Sequence, residues 1–250
     1  MQKFEKTYLI RSYETDRDGF LRIVTLWNIL QDMADTHAEN LGFGLSFCLK
    51  NNLTWFGTNY HVKINRLPKL HEEIIVRTWP SVKKKIGAVR EFEVCDLSGK
   101  TLIVASSLWI LIDVRQRKPV AIDKVLPDYQ PLEERALSSD FSKISVPESA
   151  VRLATERVRF DDIDLNGHVN NAVYPLWATE SMEASYRLAH QPKEIEINYK
   201  KECLLGESVE INGSIENDTA VYRICSKNDG RTLAELKIFW QEILPSSEKS

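Results

Sequence analysis

Apolar residues at Ile23, Leu26, Trp27, Leu30, Met33, Ala34, Ala38 and Leu41 recur at the spacing of one helical face, and Gly42 follows them as a helix C-cap would. The pattern predicts an amphipathic helix with one face made for burial. Around it the period shortens. Glu5–Tyr13 reads as a first strand and 44–52 as a loop; Trp55–Asn65, Glu73–Trp79, Gly87–Asp96 and Thr101–Val114 read as four more strands, with RLPKL and LSGK as turn signals. A helix followed by a strand meander predicts an α+β unit.

The polar stretch Arg115–Ser149 carries Pro119, Pro127, Pro131 and Pro147 with several serines, which predicts a connector with one short helix near Leu132–Leu137. Beyond it the order returns. Val151–Phe160 reads as a strand, a polar turn follows, a helical segment runs to about Leu188, and strands are expected at Glu194–Tyr199, Ser208–Ile215, Ala220–Ser226 and Thr232–Ile243. The predicted organisation is a first domain over 1–132, a linker over 133–149 and a second domain over 150–250.

The two halves align residue by residue. Lys63–Val76 lies over Asn198–Ile211 without gaps, placing Glu72 on Glu207; Gly99–Leu102 lies over Gly230–Leu233, and Trp109 over Trp240. Asp16–Phe20 lies over Asp164–His168. The differences are more informative than the matches. His168 stands where the first copy has Phe20, and Glu202 where it has Leu67. The second copy kept ionisable groups while the first became apolar, as expected if one of two ancestral sites turned into packing or the wall of an apolar pocket.

Composition narrows the function classes. The chain has 250 residues, 43% hydrophobic and 28% charged, with 33 basic and 36 acidic residues well mixed, which is ordinary globular composition and no footprint for a polyanion. Nucleic acid is therefore not expected as a partner. The N-terminal stretch has scattered charges and no apolar core of secretory length, and the longest apolar run, Thr101–Ile112, is too short to span a bilayer, so neither a signal peptide nor membrane insertion is expected. Cys48, Cys95, Cys203 and Cys225 lie far apart with no CxxC or Cys/His spacing, which fits reduced thiols in a cytoplasm and no metal site.

Chemistry concentrates in the turn. If the segment is extended, Asp164, Asn166 and His168 face one way while Leu165 and Gly167 face the other. Asp164 and Asn166 equally suit turn and cap positions, and Asn170 and Asn171 suit capping at a helix entry. His37, His61, His71 and His190 have no motif company and read as incidental. The run Lys83–Lys85 with Arg90 falls at a hairpin tip: a solvated surface in the plain reading, a docking patch for an acidic partner in the functional one. Trp27, Leu30 and Met33 are core by periodicity, with an inner end placed to line an apolar channel.

The string DLNGHVNNAVY (Asp164–Tyr174), the later NYKKEC (Asn198–Cys203) and the duplicated helix-plus-meander pattern together resemble the acyl-acyl carrier protein thioesterases of bacteria and plant plastids, over nearly the whole chain. The resemblance implies a tandem hot-dog fold, two antiparallel sheets each wrapping a central helix, with the acyl pocket and degenerate site in the first domain and catalysis in the second. It assigns catalysis to Asp164, Asn166, His168 and Glu202, with Cys203 in an older view, and implies no cofactor. One departure is Pro175, which fits only a first helical turn and so predicts a helix start near Ala172 or Val173.

On this reading Glu202 positions or deprotonates water, His168 acts as base or proton shuttle, Asp164 orients Asn166 or His168, and backbone N–H groups near 169–171 hold the oxyanion. A covalent route through Cys203 is the competing mechanism. The expected reaction is hydrolysis of fatty acyl-carrier thioesters to free fatty acid. An acyl-coenzyme A thioesterase, a non-catalytic acyl-binding protein and a hot-dog dehydratase or hydratase are the alternatives. A homodimer is compatible with the sequence.

Overall fold

The protein is described here by a computed structural model covering residues 2–243. It divides between Ser142 and Lys143 into two compact units. In the first, β1 (Phe4–Leu9) is followed by α1 (Ile23–Asn40), α2 (Leu45–Asn51), β2 (Leu53–Ile64), β3 (Glu73–Lys83), β4 (Gly87–Asp96), β5 (Thr101–Asp113), the two-residue β6 (Lys118–Pro119) and α3 (Ile122–Val125). The strands pair antiparallel in the order β1-β3-β4-β5-β2, with β6 added on β5.

The second unit holds β7 (Val151–Arg157), α4 (Val173–Glu180), α5 (Ala184–Ala189), β8 (His190–Tyr199), β9 (Ser208–Glu216), β10 (Thr219–Ser226) and β11 (Thr232–Glu242). Its antiparallel order is β7-β9-β10-β11-β8, which repeats the first sheet element for element. Both units are hot-dog folds of the α+β class.

Helix α1 follows its periodicity. Ile23, Leu26, Trp27, Ile29, Leu30, Met33 and Ala34 are all buried, each large side chain worth roughly 1.5–3 kcal/mol of transfer free energy. It ends in a Schellman arrangement: Gly42 N–H donates to Glu39 O at 2.9 Å and Phe43 N–H to Ala38 O at 3.0 Å, with Gly42 at φ +79°, a conformation costly for a residue with a Cβ.

Three expectations fail for local reasons. The loop expected over 44–52 contains α2, too short to show a period; the Glu39 carboxylate at the end of α1 accepts the Ser46 N–H at 3.1 Å and so closes its first turn. No helix forms over 132–137. There Leu132 N–H donates to Pro80 O (2.9 Å), Arg135 Nε to the buried Glu91 Oε1 (2.6 Å) and Leu137 N–H to Glu91 Oε2 (3.3 Å), so partners in the first unit satisfy the segment, and residues 133–142 pack with that unit. The second-copy helix breaks after Glu180 into α4 and α5. Its start matches the proline argument, with Ala172 as N-cap and Pro175 inside the first turn.

Candidate active site

After β7 the chain turns through a 3-10 segment, Phe160–Asp162, fixed by Asp162, whose carboxylate accepts the Arg159 N–H at 2.8 Å and pairs with its guanidinium at 2.8 Å. Ile163 then bridges Val169, closing a tight loop between them. Inside it Gly167 N–H donates to Asp164 O at 3.0 Å and Asp164 N–H to His168 O at 2.8 Å, with Gly167 at φ +79°. The segment is a turn, not extended, so strand alternation does not place Asp164, Asn166 and His168 on one side. A different contact places the histidine.

His168 pairs with Leu204, and Val169 N–H donates to Cys203 O at 2.9 Å, which lays the turn against the residues leading into β9. The result is His168 Nε2 at 3.5 Å from Glu202 Oε2. About a third of the histidine side chain and two-fifths of the glutamate remain exposed, so the pair is open to water and substrate. The first copy has the same frame without the ionisable pair. Phe20 bridges Lys69, Leu21 N–H donates to Pro68 O at 2.8 Å, and the neighbouring Leu67 is buried.

A single residue, Glu207, holds the loop carrying Glu202. Its carboxylate accepts Leu204 N–H (2.9 Å), Ser226 Oγ–H (2.9 Å) and the Arg231 guanidinium (2.6 Å), while Arg231 also donates to Glu202 O at 3.3 Å. Burial alone raises its proton affinity, but these donors together hold its pKa below the usual carboxylate value. Sequence reasoning matched Glu207 to Glu72 without giving either a role. The signal was that match: Glu72 likewise accepts Lys69 N–H at 2.8 Å and pairs with an arginine, Arg66, at 2.7 Å.

Comparison with known proteins gives the family. The family model for the acyl-ACP thioesterase N-terminal domain matches residues 1–129, and that for the C-terminal domain matches residues 148–242. The chain belongs to the acyl-ACP thioesterase family. Among curated relatives it is 26% identical over 90% of its length to the chloroplastic oleoyl-acyl carrier protein thioesterase of Coriandrum sativum, of which it spans 66%. It is 30% identical over 80% of its length to the chloroplastic palmitoyl-acyl carrier protein thioesterase of Gossypium hirsutum, of which it spans 52%. The solved structure of a 12:0-ACP thioesterase from Umbellularia californica shares the fold at TM-score 0.84, with 23% identity, 96% of this chain and 98% of that one covered.

Within this family member the other candidate residues fall in several places. Asp164 does not touch the His168 ring; its Oδ1 accepts the backbone N–H groups of Asn166 (2.8 Å) and His168 (3.3 Å). The Asn166 residue itself is exposed. Cys203 is fully buried, and burial, reinforced by Glu207, pushes its thiol up to about 11. Asn170 Oδ1 accepts Ala172 N–H at 2.8 Å in a capping role, and Asn171 O accepts the Tyr199 hydroxyl at 2.8 Å. Of the expected oxyanion donors, Val169 N–H is committed to Cys203 O and Asn170 N–H to Asp162 O at 2.8 Å, which leaves that of Asn171.

Two groups expected in the first unit also move. Trp27, Leu30 and Met33 are completely buried core, and a cavity beside them is lined instead by Ala34 and Ala38 of the same helix. Arg90 is not part of a surface patch. It is buried on β4, its Nη1 donating to His37 Nδ1 (3.1 Å) and Thr78 Oγ1 (3.2 Å). His37 is accordingly not incidental. Lys84 and Lys85 are exposed at the β3–β4 hairpin as expected, and Lys83 pairs with Asp123 at 2.7 Å.

Proposed function

We propose that this chain hydrolyses fatty acyl thioesters of acyl carrier protein, with water cleaving the C–S bond to give a free fatty acid and the carrier thiol. The observation that carries this reading is the partly exposed His168–Glu202 pair at 3.5 Å, in the copy of the duplicated frame that has ionisable groups where the other has Phe20 and Leu67. Glu202 positions and deprotonates the attacking water, His168 passes a proton to the departing sulfur, and Asn171 N–H is the remaining backbone donor for the carbonyl oxygen. Asp164 is a positioning residue for His168, acting through the backbone. Asn166, exposed in the turn, is left to contact substrate. A thiolate route through Cys203 fits poorly, because a buried thiol with a pKa near 11 is almost wholly protonated at neutral pH.

Purified protein should release thiol from acyl-carrier substrates, measured across graded chain lengths with the coenzyme A esters alongside. His168→Ala and Glu202→Gln should each lower the rate by about 10²-fold or more, while Cys203→Ala should stay within a few-fold of the wild type. No thiol release from any acyl carrier, or an unchanged rate in His168→Ala, would sink the proposal.

The carrier is acidic in this reading, and Lys84 and Lys85, with Lys83 beside them, form its docking patch. Replacing both Lys84 and Lys85 by Glu should raise KM for the acyl carrier several-fold, less so at high salt, and leave the coenzyme A ester unaffected. An identical change for both substrates argues against docking there. No helix among the described residues is long and apolar enough to cross a membrane. Four free cysteines support a reducing compartment, and the cytoplasm is the location we propose.

A further inference from the structure

The two units build their interiors from equivalent positions, which the strand ladders pair one by one. Trp109 faces Gly57 across β5 and β2 as Trp240 faces Pro192 across β11 and β8, and along the same ladders Trp55 corresponds to His190. Arg90 faces Ser107 as Ala220 faces Ile238, so Arg90 corresponds to Ala220. On the helical side, the alignment that lays Asp16–Phe20 over Asp164–His168 continues without gaps to lay Ala34 over Met182 and Ala38 over Tyr186.

In the first unit Ala34, Ala38, Trp55, Arg90 and Trp109 border one cavity beside α1. In the second unit the corresponding space holds a ring. Tyr186, on α5, stacks on His190 with ring centroids 3.9 Å apart and 3° between the planes, and it meets Trp240 edge-on at 5.6 Å. His190 and Trp240 are the counterparts of two walls of the first cavity. Met182 is buried as well, and Ala220 is completely buried. Large side chains thus stand where the first unit has alanines, and an alanine where it has an arginine, the kind of exchange that keeps a core filled.

Tyr186 is only part-buried as a residue, yet its hydroxyl is buried and has no hydrogen-bond partner among the described residues. The ring therefore enters hydroxyl first. An unpaired buried hydroxyl costs stability and contributes none, so what Tyr186 supplies at this position is the volume of its ring.

We propose that Tyr186 is a plug that closes the second unit's counterpart of the first unit's cavity and so confines an apolar ligand chain to the first unit. It is a specificity-determining residue that acts by exclusion and touches no reacting atom. The choice of a fatty ligand rests on the hydrolase reading; the closure of the space does not.

The test counts dodecanoate bound to the full chain by calorimetry, below its micelle concentration, in the wild type, Tyr186→Ala and Tyr186→Phe. Tyr186→Ala should bind one equivalent per chain more than the wild type, and toluene, about the size of the lost ring, should compete for that equivalent. Tyr186→Phe keeps the ring and removes the unpaired hydroxyl, so its count should equal that of the wild type and its thermal midpoint should be no lower. An unchanged count in Tyr186→Ala, an added equivalent in Tyr186→Phe, or a midpoint of Tyr186→Phe well below the wild type would each overturn the proposal. Should Tyr186→Ala fail to fold, Tyr186→Leu takes its place: toluene should raise its thermal midpoint by a few degrees and leave those of the wild type and Tyr186→Phe where they are, and equal shifts in all three would overturn the plug. An added equivalent without thiol release from any acyl carrier sinks the hydrolase reading and keeps the plug; thiol release with an unchanged count does the reverse.

Discussion

The Asp164 carboxylate does the same work in a turn with a histidine as Asp16 does in a turn without one. Asp16 Oδ1 accepts the N–H groups of Asp18 (3.0 Å) and Phe20 (2.9 Å), as Asp164 Oδ1 accepts those of Asn166 and His168. A role shared by the degenerate copy is a role in folding the turn. An amide oxygen can accept the same bonds, so Asp164→Asn should keep activity within a few-fold. Asp164→Ala should lower it much further and destabilise the chain by about 1 kcal/mol per backbone bond lost. Asp16→Ala should cost similar stability with kcat unchanged. A loss of about 10²-fold in Asp164→Asn would instead assign its charge to the chemistry. The sequence alone made His168 and Glu202 visible, because their counterparts are Phe20 and Leu67. It misread Arg90, whose strand is buried at every position from Gly87 to Phe92 and so gives no alternation to mark an inward-facing charge.

At the scale of elements, long periodic segments were legible and short or tertiary-determined ones were not. Strand β4 has the expected bounds and α1 ends one residue from its last predicted apolar position, whereas α2, the α4/α5 break and the extended connector depend on partners such as Glu39 and Glu91 that no local pattern names. The connector shows why. Glu91 is completely buried and accepts from Ser81 Oγ (2.7 Å), Ser106 Oγ (3.1 Å) and Arg135 Nε (2.6 Å), while Trp79 Nε1 donates to Glu134 O at 2.8 Å. Removing one partner of a buried pair leaves an uncompensated charge, so Arg135→Met should cost about 3–5 kcal/mol and speed protease nicking within 115–149. The double variant Arg135→Met with Glu91→Gln should be less destabilised than Arg135→Met alone, measured by urea midpoint. Additive losses would show that the connector is held elsewhere.

For the molecule as a whole, duplication lets one copy keep the His168–Glu202 pair while the other fills its interior, and the polar residues it retained inside set its response to acid. His37 is buried against α1's own turn and Phe4, whose ring stacks on it at 5.4 Å, and it faces the Arg90 guanidinium. Burial first, and the Arg90 charge second, push its pKa down to about 4, against 6.5 for a free imidazole. Between those values the unfolded chain binds the extra proton, so the stability His37 confers is complete above pH 6.5 and is lost as the pH falls towards 4, by about 3 kcal/mol at most. The carboxylates Glu72 and Glu207, held below their ordinary value by arginine and backbone donors, give up stability in a lower window as they protonate. His37→Gln keeps an acceptor for Arg90 and removes the titration. Its urea midpoint should therefore change little between pH 6.5 and 4.5, where the wild type declines, and both should fall together below that. A wild-type decline that persists unchanged in His37→Gln would place the acid sensitivity on the carboxylates instead.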